Sequence, residues 1–198
     1  ESTRPGATRI SADEQIARTQ PVIEAIRGVT DVCISIDTTL SKVAESALHA
    51  GADVINDVAA GEEDQEIFTL AAETGAGLVL MHRRLPPELD QYSDAYQNEQ
   101  NSSDIVTEIS SWLQARVEKA LSAGVNASAI ALDPGLGFGK SVDQNWNLIE
   151  EAKTFVELGH PIYIGASRKS FIGATTGIET PELRDVASTA TLLEMAMQ

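Results

Sequence analysis

The chain has 198 residues, 42% of them hydrophobic, which suits one globular domain with a sizeable core on the usual scale of roughly 100–200 residues per domain. Asp and Glu number 30 against 14 Lys and Arg, for a net charge of −16. That balance argues against a general nucleic-acid binder and a polybasic membrane anchor, both of which need clustered cations, so an anionic ligand has to be held by a few local basic side chains.

In chain order, the sequence opens at Glu1 and soon reads Ser2-Thr3-Arg4-Pro5-Gly6, just ahead of a capping box, Ser11-Ala12-Asp13-Glu14. A polar turn before a capped helix is the pattern of a βα loop whose strand lies outside the chain, and it offers a hydroxyl and a guanidinium. The first strand is expected over Val32–Asp37, with Cys33 in its apolar run as a small buried hydrophobe. Strands follow at Asp53–Asp57 and Gly77–Met81. The long connection RRLPPELDQYSDAYQNEQNSS, residues 83–103, has no periodic apolar face and reads as a mobile loop on the ligand side or as a solvated excursion. A fourth strand, Ala129–Asp133, runs into Asp133-Pro134-Gly135-Leu136-Gly137-Phe138-Gly139-Lys140 and a second capping box, Ser141 to Gln144; a fifth is expected over Pro161–Gly165. Pro181 sits where a helix begins, and Gly28, Gly51, Gly75, Gly124 and Gly159 sit where left-handed C-caps end one. The closing ATLLEMAMQ still has the pattern of a helix interior, so both ends read as cut. No apolar run approaches the ~20 residues of a membrane span and no signal-like segment opens the chain, which reads as soluble and cytoplasmic.

Most of the expected strands are nearly all apolar instead of alternating, as in a parallel sheet covered on both faces. Strands alternating with helices suit either an open doubly wound sheet or a (β/α)8 barrel. No Gly-x-Gly-x-x-Gly follows the first strand, and the pattern favours a single barrel domain over 1–198, lacking its first two strands and its last.

In either architecture ligands bind beyond the carboxyl ends of the strands. Those ends read Asp37-Thr38-Thr39, Asn56-Asp57-Val58, Met81-His82, Asp133-Pro134-Gly135 and Gly165-Ala166-Ser167-Arg168-Lys169-Ser170. Taken singly, Asp37 caps a helix near Leu40, Asp133 fixes its own turn, and Asn56 tolerates a left-handed bend. Taken together, two carboxylates and an amide in one concave pocket match a flat heterocycle with adjacent N–H donors and acceptors. Arg168 and Lys169, beside a helix start, make an anion site. His49 and His160 read as structural and His82 stays open; there is no metal-ligand spacing and no Gly-x-Ser-x-Gly elbow.

The segments STRPGA (2–7), SIDTT (35–39), GADVINDVAA (51–60), LVLMH (78–82), LDPGLGFGKS (132–141) and GASRKSFIG (165–173) resemble, in order and spacing, those of the dihydropteroate synthases, pterin-binding (β/α)8-barrel enzymes. The resemblance covers essentially the entire chain. It implies a transferase of folate biosynthesis that condenses 6-hydroxymethyl-7,8-dihydropterin diphosphate with p-aminobenzoate, releases diphosphate, and is a sulfonamide target. Asp37, Asn56, Met81, Asp133 and Lys169 would then hold the pterin, with Asp133 and Lys169 as the catalytic pair. Thr3, Pro5, Phe138, Lys169 and Ser170 would line the aminobenzoate pocket, and Arg4 and Arg168 would meet the diphosphate. The resemblance further implies Mg2+, with no metal ligand in this chain, and a homodimer when full length. An Asn-x-Thr-Pro-Asp-Ser-Phe-like loop and an Arg-x-His-like motif of the family are not present, and MHRRLPPELDQYSDAY departs from the family where a Gly often follows Met-His. His82 and Lys140 are left without a role. A methyltetrahydrofolate-dependent corrinoid methyltransferase shares the Asp/Asn/Asp pattern but gives no reason for Phe138 or the Ser167–Ser170 run; a non-catalytic pterin-binding domain is the other alternative.

Overall fold

The computed structural model describes residues 2–96 and 104–197. Four strands, β1 (Ser35–Asp37), β2 (Val54–Asp57), β3 (Gly77–Met81) and β4 (Ile130–Asp133), form one sheet in the order β1-β2-β3-β4. All three pairings are parallel. An open doubly wound sheet would reverse its strand order at a switch point; this order runs with the chain, as around a barrel.

The helices are α1 (Ala12–Arg27), α2 (Ser41–His49), α3 (Glu66–Thr74), α4 (Ile105–Ser122), α5 (Val142–Glu150), α6 (Ala152–Val156), α7 (Ser170–Thr176) and α8 (Asp185–Ala196). Parallel register puts Ile55, Leu78 and Ile130 on one face of the sheet, with Leu80 and Leu132 two residues on. That face meets Ile67, Phe68, Ile109, Leu113, Leu148 and Phe155 from the helices in one buried core. Burying such a side chain contributes ~1.5–3 kcal/mol each, so this layer holds the sheet in place. The opposite face carries Asp37, Asn56, Met81 and Asp133. Among the described residues no helix is long and apolar enough to cross a membrane.

Several sequence expectations need correction. The first strand begins at Ser35 and not at Val32, because side chains take its backbone groups: Ile34 N donates to Asp53 Oδ2 at 2.8 Å, and Arg27 donates to Val32 O at 3.0 Å. Cys33 therefore lies exposed instead of packed. The fifth strand reduces to one parallel bridge, Leu132 with Ile162, flanked by Leu132 N to Pro161 O at 2.9 Å and Tyr163 N to Leu132 O at 2.8 Å. Pro181 opens a 3-10 turn, Pro181–Leu183, and α8 starts only at Asp185. Gly28 stays right-handed at φ −65°, since its N–H still bonds Glu24 O and the turn continues to Thr30. The second capping box closes in both directions, between Ser141 and Gln144, while Ser11 Oγ accepts from Glu14 N at 3.3 Å.

Candidate active site

β1 and β2 pair Asp37 with Asn56, and β3 and β4 pair Met81 with Asp133, so all four side chains lie on the sheet face away from the helices. Asn56 Nδ2 donates to Asp37 Oδ1 at 2.6 Å. That bond fixes the amide and leaves Asn56 Oδ1 buried with no partner among the described residues. A buried acceptor left unmet costs ~1–3 kcal/mol, which a ligand N–H placed there would recover. Asp37 does not cap α2, whose N-terminus has no side-chain cap.

Asp133 is buried and its Oδ1 accepts from Gly135 N at 2.7 Å. It thus fixes its own turn with one oxygen, while Oδ2 accepts no hydrogen bond among the described residues. Burial pushes its carboxyl up to about 6, against the Gly135 N–H and the charges of Lys169 and Lys140, which favour the carboxylate. Lys140 is fully buried, and its Nζ donates to Gly135 O at 2.8 Å, Phe138 O at 2.9 Å and His82 O at 3.3 Å. Burial lowers it to about 7, with Asp133 opposing. Lys140, unassigned by sequence, therefore ties the Gly-rich turn to the end of β3. His82 packs edge-on against Trp112 at 4.9 Å and is held neutral, first by burial and then by Lys140 and Arg84.

Gly135 has φ 71°, and a Cβ on it would lie 1.9 Å from His82 O. Gly137, at φ 82°, leaves room for Lys169, whose Cδ would be 3.0 Å from a Cβ there. The Lys169 Nζ sits 4.0 Å from the centroid of the Phe138 ring, a cation–π contact. Burial lowers Lys169 to about 8, with Asp133 and then Asp90 opposing.

Lys169 and Phe138 also face a cavity of about 730 Å³ lined by Thr3, Arg4, Pro5, Arg168 and Ser170 as well. The opening segment reaches it because Gly6 N donates to Pro87 O at 2.7 Å and Arg9 pairs with Glu63 and Glu88. Glu63 also pairs with Arg83 and accepts from Thr39 Oγ1 at 2.6 Å. Burial alone would raise Glu63, but the bonds from Arg9 and Thr39 and the Arg83 charge hold it down at about 2. The two cationic candidates differ. Arg168, at φ 57°, spends its guanidinium on Asp185 at 2.6 and 2.8 Å, whereas Arg4 has no ion pair among the described residues.

Sequence reasoning missed Asp90, Ser93 and Asn145. Residues 83–96, read as a mobile loop on the ligand side or a solvated excursion, pack against the site: Ser93 is fully buried and Asp90 is nearly so. The remainder of that expected loop, 97–103, lies outside the described residues. No periodic signal marks Ser93 or Asp90, but Asn145 had one, since it interrupts the apolar stripe Val142, Leu148, Ile149 on the inward face of α5. Among the described residues no three His, Cys, Asp or Glu side chains converge as metal ligands.

The family model described as "Pterin binding enzyme" matches residues 1–198. The dihydropteroate synthase of Synechocystis sp. is 40% identical over 184 residues, 93% of this chain and 62% of its own length. That of Streptococcus pyogenes serotype M3 is 40% identical over 197 residues, 100% of this chain and 69% of its own length. A solved dihydropteroate synthase of Xanthomonas albilineans with 4-aminobenzoic acid superposes with a TM-score of 0.88 at 37% identity, covering 100% of this chain and 67% of that one.

Proposed function

Because this chain belongs to the family of pterin-binding enzymes, whose pattern it matches from residue 1 to 198, we propose that its full-length protein is a dihydropteroate synthase. Its parallel sheet is the corresponding arc of that family's (β/α)8 barrel. The reaction proposed joins the amine of p-aminobenzoate to the methylene of 6-hydroxymethyl-7,8-dihydropterin diphosphate: the methylene C–O bond breaks, the C–N bond forms, diphosphate leaves, and an amine proton passes to solvent.

The observation that carries this reading is the orphaned Asn56 Oδ1, bonded through its amide to Asp37, with Asp133 on the same sheet face two strands away. A pterin edge offers ring and exocyclic N–H donors in one plane, which suits an amide acceptor between two carboxylates. Met81 packs against the ring from the same face. As the C–O bond loosens, positive charge grows on the pterin methylene, and the Asp133 carboxylate stabilises it from a buried site where charge counts for most. Lys169 binds an oxygen or ring nitrogen of the pterin and, with Phe138, closes one side of the cavity assigned to p-aminobenzoate. Thr3, Pro5 and Ser170 complete that cavity. Arg4, with no ion pair among the described residues, is the better placed of the two arginines for the diphosphate, since Arg168 must first leave Asp185. The proposal includes Mg2+, a cytoplasmic location and a full-length homodimer.

The test is product formation by the full-length protein, with each substrate and Mg2+ omitted in turn. Dihydropteroate appearing only with both organic substrates is the expected result; methyl transfer from methyltetrahydrofolate, or pterin binding without turnover, would sink the proposal.

The pH dependence follows from the same groups. Asp133 acts as the carboxylate, and with its value raised to about 6 it is lost to protonation below that pH. Lys169 acts as the ammonium, and with its value lowered to about 8 it loses its charge above it. The rate at low substrate should be bell-shaped between these limits, the two limbs belonging to the coupled pair. A profile flat from pH 5 to pH 9 (about one unit outside each limb) would remove both groups from the chemistry.

A further inference from the structure

Two buried residues that the proposed reaction leaves idle, Asn145 and Ser93, form a hydrogen-bond chain under the cavity. Asn145 on α5 is fully buried, and its Oδ1 accepts from Gly137 N at 2.6 Å. Its Nδ2 lies 2.7 Å from Ser141 O, 3.2 Å from Lys140 O and 3.2 Å from Ser93 Oγ. Ser93, also fully buried, donates its backbone N–H to Ser170 Oγ at 2.9 Å. The chain therefore runs from the Gly-rich turn through α5 to the 83–96 segment and ends on a side chain that faces the cavity.

Two physical consequences follow. Gly137 is covalently next to Phe138, so the span from Gly137 N to Ser170 Oγ sets the distance between two lining groups that come from different strand ends. The second consequence concerns the proton of Ser170. A serine hydroxyl has one donor and two acceptor lone pairs. With a lone pair taken by the Ser93 N–H, and no acceptor for its proton among the described residues, the Ser170 O–H is free to donate into the cavity. Accepting one hydrogen bond also strengthens the one the hydroxyl donates. A hydroxyl donor beside the Lys169 ammonium suits a carboxylate.

We propose that Ser93 and Asn145 are positioning residues for the second substrate: they hold the Ser170 hydroxyl as a donor to the p-aminobenzoate carboxylate and thereby set the affinity for that substrate, not the chemical step. This rests on the assignment of the cavity to p-aminobenzoate.

Ser93→Ala in the full-length enzyme is the cleanest test, because it cuts the link to Asn145 and keeps the backbone N–H that meets Ser170. Losing one buried hydrogen bond in the chain should raise KM for p-aminobenzoate ~5-fold, with kcat and KM for the pterin diphosphate moving by less than about twofold. Calorimetry with p-aminobenzoate should show the same loss of affinity. Asn145→Ala should act in the same direction and more strongly; should it fail to fold, Ser93→Ala decides. Added to Ser170→Ala, Ser93→Ala should change nothing further, since the group it positions is already gone. A KM for p-aminobenzoate left unchanged in Ser93→Ala overturns the inference, and so does a parallel loss in kcat and both KM values, which marks a merely structural residue. Failure of the unaltered enzyme to bind p-aminobenzoate removes the assigned function and the inference together. Binding that Ser93→Ala leaves intact removes the inference alone.

Discussion

Asp133→Asn in the full-length enzyme should lower turnover ~10²-fold or more, the scale of one preorganised electrostatic group, with the thermal midpoint close to that of the parent. The substitution keeps the size of the side chain and an oxygen to accept the Gly135 N–H, so the turn it fixes survives. What it removes is the negative charge facing Lys169 and Lys140 from a buried position. Stability should change little, because burial already disfavours the carboxylate, as its upward shift records. Single-turnover kinetics beside a thermal melt separate the two effects. Near-normal turnover would confine Asp133 to fixing its own turn.

Gly135→Ala should be the most damaging single substitution in the Gly-rich turn, and its damage should be structural. The added Cβ would stand 1.9 Å from His82 O and 3.3 Å from Lys140 Nζ, with the backbone at φ 71°. The oxygen it meets belongs to the main chain at the end of β3 and cannot swing away, and the left-handed φ adds strain for any L side chain. Overpacking of this kind costs about 1–3 kcal/mol before the three bonds of Lys140 are disturbed, so a total loss of about 3 kcal/mol or more is expected. Urea unfolding of the full-length protein measures it. Gly159→Ala, with nothing within 4 Å of its Cβ, is the control for the φ term alone, since its φ is 81°. Equal losses at the two positions would show that the contact with His82 O contributes nothing.

The parallel sheet and its polar strand ends were legible because each rests on local sequence. A strand covered on both faces has to be apolar throughout, and the residues that close it have to be named types at named positions: Asp37, Asn56, Asp133. Boundaries were less legible where side chains compete for the backbone. Nothing in Val32-Cys33-Ile34 announces that Asp53 and Arg27 will take its hydrogen bonds. Position 168 was read by its charge beside a helix start, and its commitment to Asp185 depends on a helix 17 residues further on. The 83–96 segment was illegible for a different reason: its order comes from single polar contacts, Ser93 to Ser170 and Gly6 to Pro87, which leave no periodic trace. Asn145 was the readable exception, a polar residue standing on an apolar helical stripe.

The strand order of the sheet has a bearing on how the chain is made. Each strand from β2 to β4 pairs with the one that precedes it in sequence, so a nascent chain leaving the ribosome finds the template for each of these strands already present. β2 adds to β1 across a gap of one helix, β3 to β2 likewise, and only β4 must wait for the longer excursion between Met81 and Ile130. Synthesis proceeds at ~5–20 residues per second, whereas a loop of ten residues closes in well under a microsecond, so each βα unit has time to settle before its successor emerges. The order in which strand templates become available is then the order of translation. The polar ends of β1 and β2 would be set side by side, with Asn56 bonded to Asp37, before the codon for Asp133 is read.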